Sequence, residues 1–245
     1  PQPKIIGGST SSQSYSWIVS LQNDLEHFCG GVLIHKDYVL TAAHCLQDVS
    51  PQELTLVVGS NDRVNGVGGE TLEADWFYNH PNYDDTTIYN DISIIKLSTS
   101  SSKLPIKIIG KTQFDEIEQN TQLKVMGWGL TVEGDISTSP IFLNEVDVSF
   151  QQDAICYNTY GDLGQLGYWN QFFCAGEVSG GKDSCLGDSG GPIVIKQGDV
   201  WRLVGLVSWG SGCGNPEQFG AYTELTSYLD WIEERFYGVT VTGLN

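Results

Sequence analysis

Short apolar or alternating runs, each cut off by a cluster of turn formers, constrain this chain more than any other feature. They occupy 16–21, 31–34, 38–42, 54–59, 92–97, 123–128, 141–148, 192–195 and 201–209. Breakers such as Asn65-Gly66, Gly68-Gly69 and Gln197-Gly198-Asp199 stand between them. Strands at that spacing, without helical patterns in between, point to an all-β sandwich or barrel. The 245 residues can hold one large all-β unit or two small domains. Thr99-Ser100-Ser101-Ser102-Lys103 is polar, and the stretch on to 118 has little periodicity. The boundary between two halves is therefore placed near residue 110. A helix is expected near the end, where Leu225, Leu229, Ile232 and Phe236 recur at helical spacing and Gly238 follows as a stop signal.

The cysteines set the compartment. There are six, an even number, and no pair has the CxxC spacing of a metal cage or redox motif. Three disulfides in an oxidising, extracellular setting are expected, although spacing alone leaves all fifteen pairings open. The start, Pro1-Gln2-Pro3-Lys4, is polar and has no signal-peptide pattern, so the chain reads as matured or given without its leader. No apolar run approaches the ~18 residues of a membrane span. Twelve Lys and Arg against thirty Asp and Glu give a net charge of −18, which argues against nucleic-acid binding and favours basic partners.

The chemistry concentrates in three places. In Gly187-Asp188-Ser189-Gly190-Gly191-Pro192 a serine stands between glycines, where a tight turn can present its hydroxyl. The N–H groups of Gly187 and Ser189 could form an oxyanion hole there. Thr41-Ala42-Ala43-His44-Cys45 puts a histidine at the end of an apolar strand, and Asn90-Asp91-Ile92 puts an aspartate at the mouth of another. A buried aspartate needs a partner, and histidine is a suitable one. By contrast, His27, His35 and His80 read as ordinary hydrogen-bonded residues with no catalytic part.

These motifs, together with Ile5-Ile6-Gly7-Gly8, Cys29-Gly30-Gly31, Gly127-Trp128-Gly129 and Ser208-Trp209-Gly210, resemble the trypsin/chymotrypsin serine proteases from Ile5 to about Phe236. The order His, Asp, Ser fits that family and neither subtilisin nor the α/β-hydrolases. The resemblance implies an all-β fold of two antiparallel six-stranded β-barrels with a C-terminal α-helix. It divides the chain into an activation-peptide remnant (1–4), a first barrel (5–110), a second barrel (111–224), the helix (225–237) and a tail (238–245). It implies Ser189 as nucleophile, His44 as general base and acid, Asp91 as the group that orients the imidazole, and the N–H groups of Gly187 and Ser189 as the oxyanion hole. It also narrows the cysteine pairings to Cys29–Cys45, Cys156–Cys174 and Cys185–Cys213.

The resemblance further places Asp183 at the floor of the primary specificity pocket, with Ser184 beside it and Gly210 and Gly220 on its walls. A buried carboxylate there wants a cation, so cleavage after Arg or Lys is expected. Ser208 and Gly210 would pair with the substrate strand, and Ile88 and Trp209 would line apolar subsites. The stretch 157–173, with Tyr160, Tyr168 and Trp169, is expected to border the cleft and narrow specificity. Lys4-Ile5 looks like the activation bond of a zymogen, whose new Ile5 amine would pair with Asp188. Lys4 also suits self-activation. His27 and Ser20 match positions that hold the Asp188 equivalent in some precursors, so an Asp188–His27 contact is expected.

The expected partners are peptide and protein substrates and protein protease inhibitors, and a secreted monomer is expected. No cofactor and no metal are expected. Ser60 stands where vertebrate trypsins begin a calcium loop with Glu, and Gly66-Val67-Gly68-Gly69 does not look like a ligand set beside Asp62 and Glu70. Phe219 replaces a Pro before Gly220, which leaves sodium modulation open. A non-catalytic binding module and a protease of broader specificity are the competing readings. The intact His44, Asp91 and Ser189, together with Asp183, weigh against the first, and a peptide-library profile would separate the second from strict Arg/Lys cleavage.

Overall fold

The computed structural model describes residues 5–161 and 170–236. Six strands close the first barrel: β2 (Ile18–Asn23), β3 (Glu26–His35), β4 (Tyr38–Thr41), β5 (Thr55–Val58), β6 (Glu70–Asn79) and β7 (Ser93–Leu97). Their order is β2-β3-β4-β7-β6-β5, all antiparallel, and β5 returns to β2. Val19, Leu21, Val32, Leu40, Leu56, Val58, Ile94 and Leu97 fill its interior and are wholly buried.

The second barrel is built from β9 (Gln122–Gly127), β10 (Asn144–Gln151), β11 (Phe172–Ala175), β12 (Pro192–Gln197), β13 (Val200–Trp209) and β14 (Gly220–Glu224). The ring runs β9-β10-β11-β14-β13-β12 and closes where β12 pairs with β9. Leu123, Val125, Val148, Phe173, Ile193, Val204 and Tyr222 fill it. Two short strands extend this sheet: β1 (Ser9–Thr10) on β10 and β8 (Lys107–Ile108), which runs parallel to β13. The two six-stranded antiparallel barrels are the expected architecture.

The expected apolar stripe is found, but its first turn is a 3-10 turn, Leu225–Tyr228, and only Leu229–Arg235 is α-helical. Two short helices were not read from the sequence, α1 (Lys111–Asp115) and α2 (Asp153–Tyr160), so the C-terminal one is α3. Leu225, Tyr228, Ile232 and Phe236 join the core of the first barrel, although they follow the second in sequence. Ile5 and β1, at the other end, belong to the second barrel. Each end of the described chain thus crosses to the far barrel.

Candidate active site

His44 lies on a 3-10 turn, Ala43–Leu46, where β4 ends. Its backbone N–H donates to Asp91 Oδ1 at 2.9 Å, and its ring Nδ1 lies 2.8 Å from Asp91 Oδ2. The carboxylate can only accept, so Nδ1 carries a proton, and in the neutral ring Nε2 keeps its lone pair. Asp91 is 2% exposed. Its Oδ2 also accepts from the Ser208 hydroxyl on β13, and its backbone carbonyl accepts from Thr223 Oγ1 on β14 at 2.8 Å. Both partners come from the second barrel. The His44–Asp91 pair therefore sits on the seam and is held from both sides.

Ser189 approaches from the other barrel. Gly30 on β3 donates its N–H to the Ser189 carbonyl at 2.7 Å, which pins the loop against the first barrel. Gly190, at φ +73°, passes so close that a Cβ there would lie 2.1 Å from Thr41 Oγ1, so only glycine fits. Ser189 and His44 line one cleft of about 430 Å³ together with Asp183, Ser184, Ser208, Trp209, Gly210 and Gly220. Ile88 lines it as well. Among the described residues no hydrogen bond joins Ser189 Oγ to His44 Nε2, a contact that commonly tightens only once substrate is bound. The N–H groups of Gly187 and Ser189 have no acceptor among the described residues.

Asp183 is 4% exposed. Its oxygens accept from Ser184 N–H at 2.8 Å and Gly214 N–H at 2.9 Å, and no cation reaches it among the described residues. Burial pushes its carboxyl up to about 7. A Cβ on Gly220 would come within 3.0 Å of Asp183 Oδ1, so glycine there keeps the way to the acid open. Ser184 Oγ lies 3.4 Å from the Tyr222 hydroxyl.

Asp188 is wholly buried between two glycines. A Cβ on Gly127 or Gly129 would lie 2.2 or 2.3 Å from its oxygens. It accepts from Gly129 N–H at 2.8 Å and Cys185 N–H at 2.9 Å, and burial pushes it up to about 7. The expected Asp188–His27 contact is absent. His27 Nε2 instead donates to the Gly187 carbonyl at 2.9 Å, while its Nδ1 accepts from Ser20 Oγ at 2.9 Å. The two backbone donors beside the Gly127–Gly129 slot draw the carboxylate away from the imidazole. Ile5 is wholly buried, and the Ile6 carbonyl accepts from Asp183 N–H at 3.1 Å. Lys4 lies outside the described residues.

The disulfides are Cys29–Cys45, Cys156–Cys174 and Cys185–Cys213. The first adjoins His44 and the third the Asp183 pocket. Cys29, His44 and Cys45 sit close together, but the bonded sulfurs are not thiolates and the ring is committed to Asp91. In the loop 60–70, Asp62 accepts from Val64, Asn65 and the Asn65 amide, and Glu70 from Ser101 and Ser102. Tyr160, on α2, packs edge-on against Trp209 with ring centroids 4.7 Å apart. Tyr168 and Trp169 lie outside the described residues. Among the cleft residues that the sequence did not single out are Leu186 and Glu133. Both come from loops whose composition reads as ordinary turn.

Comparison with known proteins bears on the same frame. The family model described as Trypsin matches residues 5–232. The chain is 38% identical to "Trypsin" of Phaedon cochleariae, over 96% of this chain and 89% of that one. It is 37% identical to "Trypsin Blo t 3" of Blomia tropicalis, over 94% and 85%. It is 38% identical to "Trypsin epsilon" of Drosophila erecta, over 94% and 86%. Likeness of that extent, on two barrels that meet at this cleft, makes the chain a member of the trypsin family, a trypsin-like serine endopeptidase.

Proposed function

We propose that this protease hydrolyses peptide bonds after Arg or Lys through an acyl-enzyme formed on Ser189. The observation that carries the reading is Asp183: a carboxylate buried at 4% exposure, on the wall of the cleft that holds Ser189 and His44, with no cationic partner among the described residues. Burial without a counter-charge is costly, and an arginine or lysine side chain entering the cleft removes that cost. The guanidinium fork can meet both oxygens, and a lysine meets one.

In the proposed mechanism, His44 Nε2 takes the Ser189 proton as Oγ attacks the scissile carbonyl. It then gives the proton to the leaving amine. Asp91 holds the tautomer and offsets the charge of the imidazolium. The developing oxyanion is met by the N–H groups of Gly187 and Ser189, which have no acceptor among the described residues. Losing one such donor costs about 3 kcal/mol of barrier stabilisation. Ser208, Trp209 and Gly210 bind the substrate strand, and Gly210 and Gly220 leave room for a long side chain. The chain is made as a zymogen. Cleavage at Lys4-Ile5 frees an amine that pairs with Asp188, and protein inhibitors would occupy the same cleft. The three disulfides fit a protein that works outside the cell.

The test is turnover of an Arg-amide substrate before and after cleavage at Lys4-Ile5, with S189A and D183S beside it. Turnover should appear only after cleavage, vanish in S189A, and be lost for Arg and Lys in D183S while small-ester hydrolysis persists. Tryptic turnover retained in D183S would overturn the specificity.

A further inference from the structure

Glu133 lies in the loop that follows β9, and among the described residues it is the one acid besides Asp183 on the cleft wall. The two differ in setting. Asp183 is buried, whereas Glu133 is exposed at the rim. A Cβ on Gly212 would lie 2.4 Å from Asn215 Nδ2 and 3.1 Å from Glu133 Oε1, so the acid stands close beside this turn. Gly212 has φ +76°, a conformation that favours glycine. Gly212 precedes Cys213, whose disulfide to Cys185 braces the pocket mouth, and Gly214, whose N–H caps Asp183. Among the described residues Glu133 has neither an ion-pair partner nor a hydrogen-bond partner. A negative charge thus stands without a counter-charge at the entrance to a pocket whose floor is also negative.

An extended substrate brings side chains to this rim in a fixed order. Side chains alternate along a strand, so the residue two places before the one that enters the pocket shares its face. The two lie about 6–7 Å apart along the chain. With the first side chain directed at Asp183, the second faces the same cleft, whose lining includes Gly210, Gly212 and Glu133. We infer that Glu133 is a specificity-determining residue that recognises a second basic side chain, the third residue back from the cleaved bond. The inference rests on the proposed Arg/Lys reading of Asp183 and narrows the substrate class to segments of the form basic-x-basic. Because Glu133 is exposed, its contribution is that of a solvent-screened pair, about two- to fivefold in kcat/KM.

The test uses activated enzyme and two peptide amides that share Arg at the cleaved bond and differ only in Arg or Ala two places upstream. The readout is the ratio of their kcat/KM values in wild type, E133Q and E133K, each standardised by titration of Ser189 with an organophosphonate. The ratio should be about two- to fivefold in wild type at low salt, near one in E133Q, below one in E133K, and smaller in wild type at high salt. A ratio of one in wild type, or one unchanged in E133Q, overturns the role of Glu133. If neither peptide is cleaved, the Arg/Lys reading fails first and the inference falls with it.

Discussion

Asp183 and Asp188 are buried within the same loop region, each between backbone N–H groups, and burial pushes both up to about 7. Their expected fates differ, because one awaits a cation from the substrate and the other a cation from the chain. For Asp183 this gives a pH dependence that can be separated from catalysis. A cationic ligand needs the ionised form, so affinity for a small amidinium should fall about tenfold per pH unit below 7 and level off above it. Calorimetric titration between pH 5 and 8 reads this without engaging Ser189, and a flat Kd would contradict it. His27 acts on stability with a distinct signature. Burial lowers it to about 4, below the ordinary 6.5. Its contribution is present above pH 6.5 and is lost as pH falls through 4. Urea unfolding should therefore show a steeper acid loss in wild type than in H27Q, by up to about 3 kcal/mol across that window. Equal slopes would mean that folded His27 takes up its proton as readily as the unfolded residue does. Chemistry at this scale was legible in the sequence because His44, Asp91 and Ser189 each stand in a short motif. Their supports were not. Nothing local to Ser208 or Thr223 says that they bond to Asp91, and nothing near Glu133 says that it faces the cleft.

Elements were legible in proportion to how apolar they are. The run 92–97 corresponds to β7, whose buried Ile94, Ile95 and Leu97 mark it as a core strand. β6 left no such trace, because the exposed Thr71, Glu73 and Asp75 alternate with only partly buried neighbours. β14 escaped because Gly220 and Glu224 read as turn residues, although all five positions are buried. The N-terminal segment is the element on which activation should act. Gly7 abuts the Gly181 carbonyl so closely that a Cβ would lie 2.0 Å away, and Ile6 is bonded to Asp183 N–H. Segment and pocket wall are thus one packed unit. Freeing the Ile5 amine should add an ion pair with Asp188 to that unit, and the pair would need a charged amine. Its stabilisation should be full below the free amine's value of about 7.7–8.0 and vanish as pH rises through the higher value of the paired amine. Cleaved protein should therefore melt above the uncut K4Q chain at pH 7, with the difference shrinking toward pH 11. A difference that does not change with pH would argue against the amine as its source.

At the scale of the whole molecule, the distribution of charge bears on the protease's own survival. The chain has no Lys or Arg between Arg63 and Lys96, between Lys124 and Lys182, or between Arg202 and Arg235. Those stretches include the loop with Glu133, the loop with Ile88, and the 211–218 turns beside the pocket, connections that supply residues to the cleft wall. Several of the remaining basic residues are in strands, such as Lys96, Lys107, Lys124, Lys196 and Arg202, where the backbone is tied into a ladder and cannot extend into a cleft. Lys182 is exposed on a loop, but the next N–H, that of Asp183, is bonded to Ile6. A protease restricted to Arg and Lys should therefore leave the mature chain intact while cutting at Lys4. The net charge of −18 adds that copies repel one another while basic substrates are drawn in, an effect that salt weakens. Prolonged incubation of activated protein at micromolar concentration, followed by intact-mass spectrometry, should show a single species that begins at Ile5. Any slow product should end at Lys182, Lys36 or Lys111, all exposed and outside strands. Fragments that end within the stretches free of Lys and Arg could not come from a tryptic cut. Their appearance in wild type and absence in S189A would show that this cleft accepts side chains other than Arg and Lys.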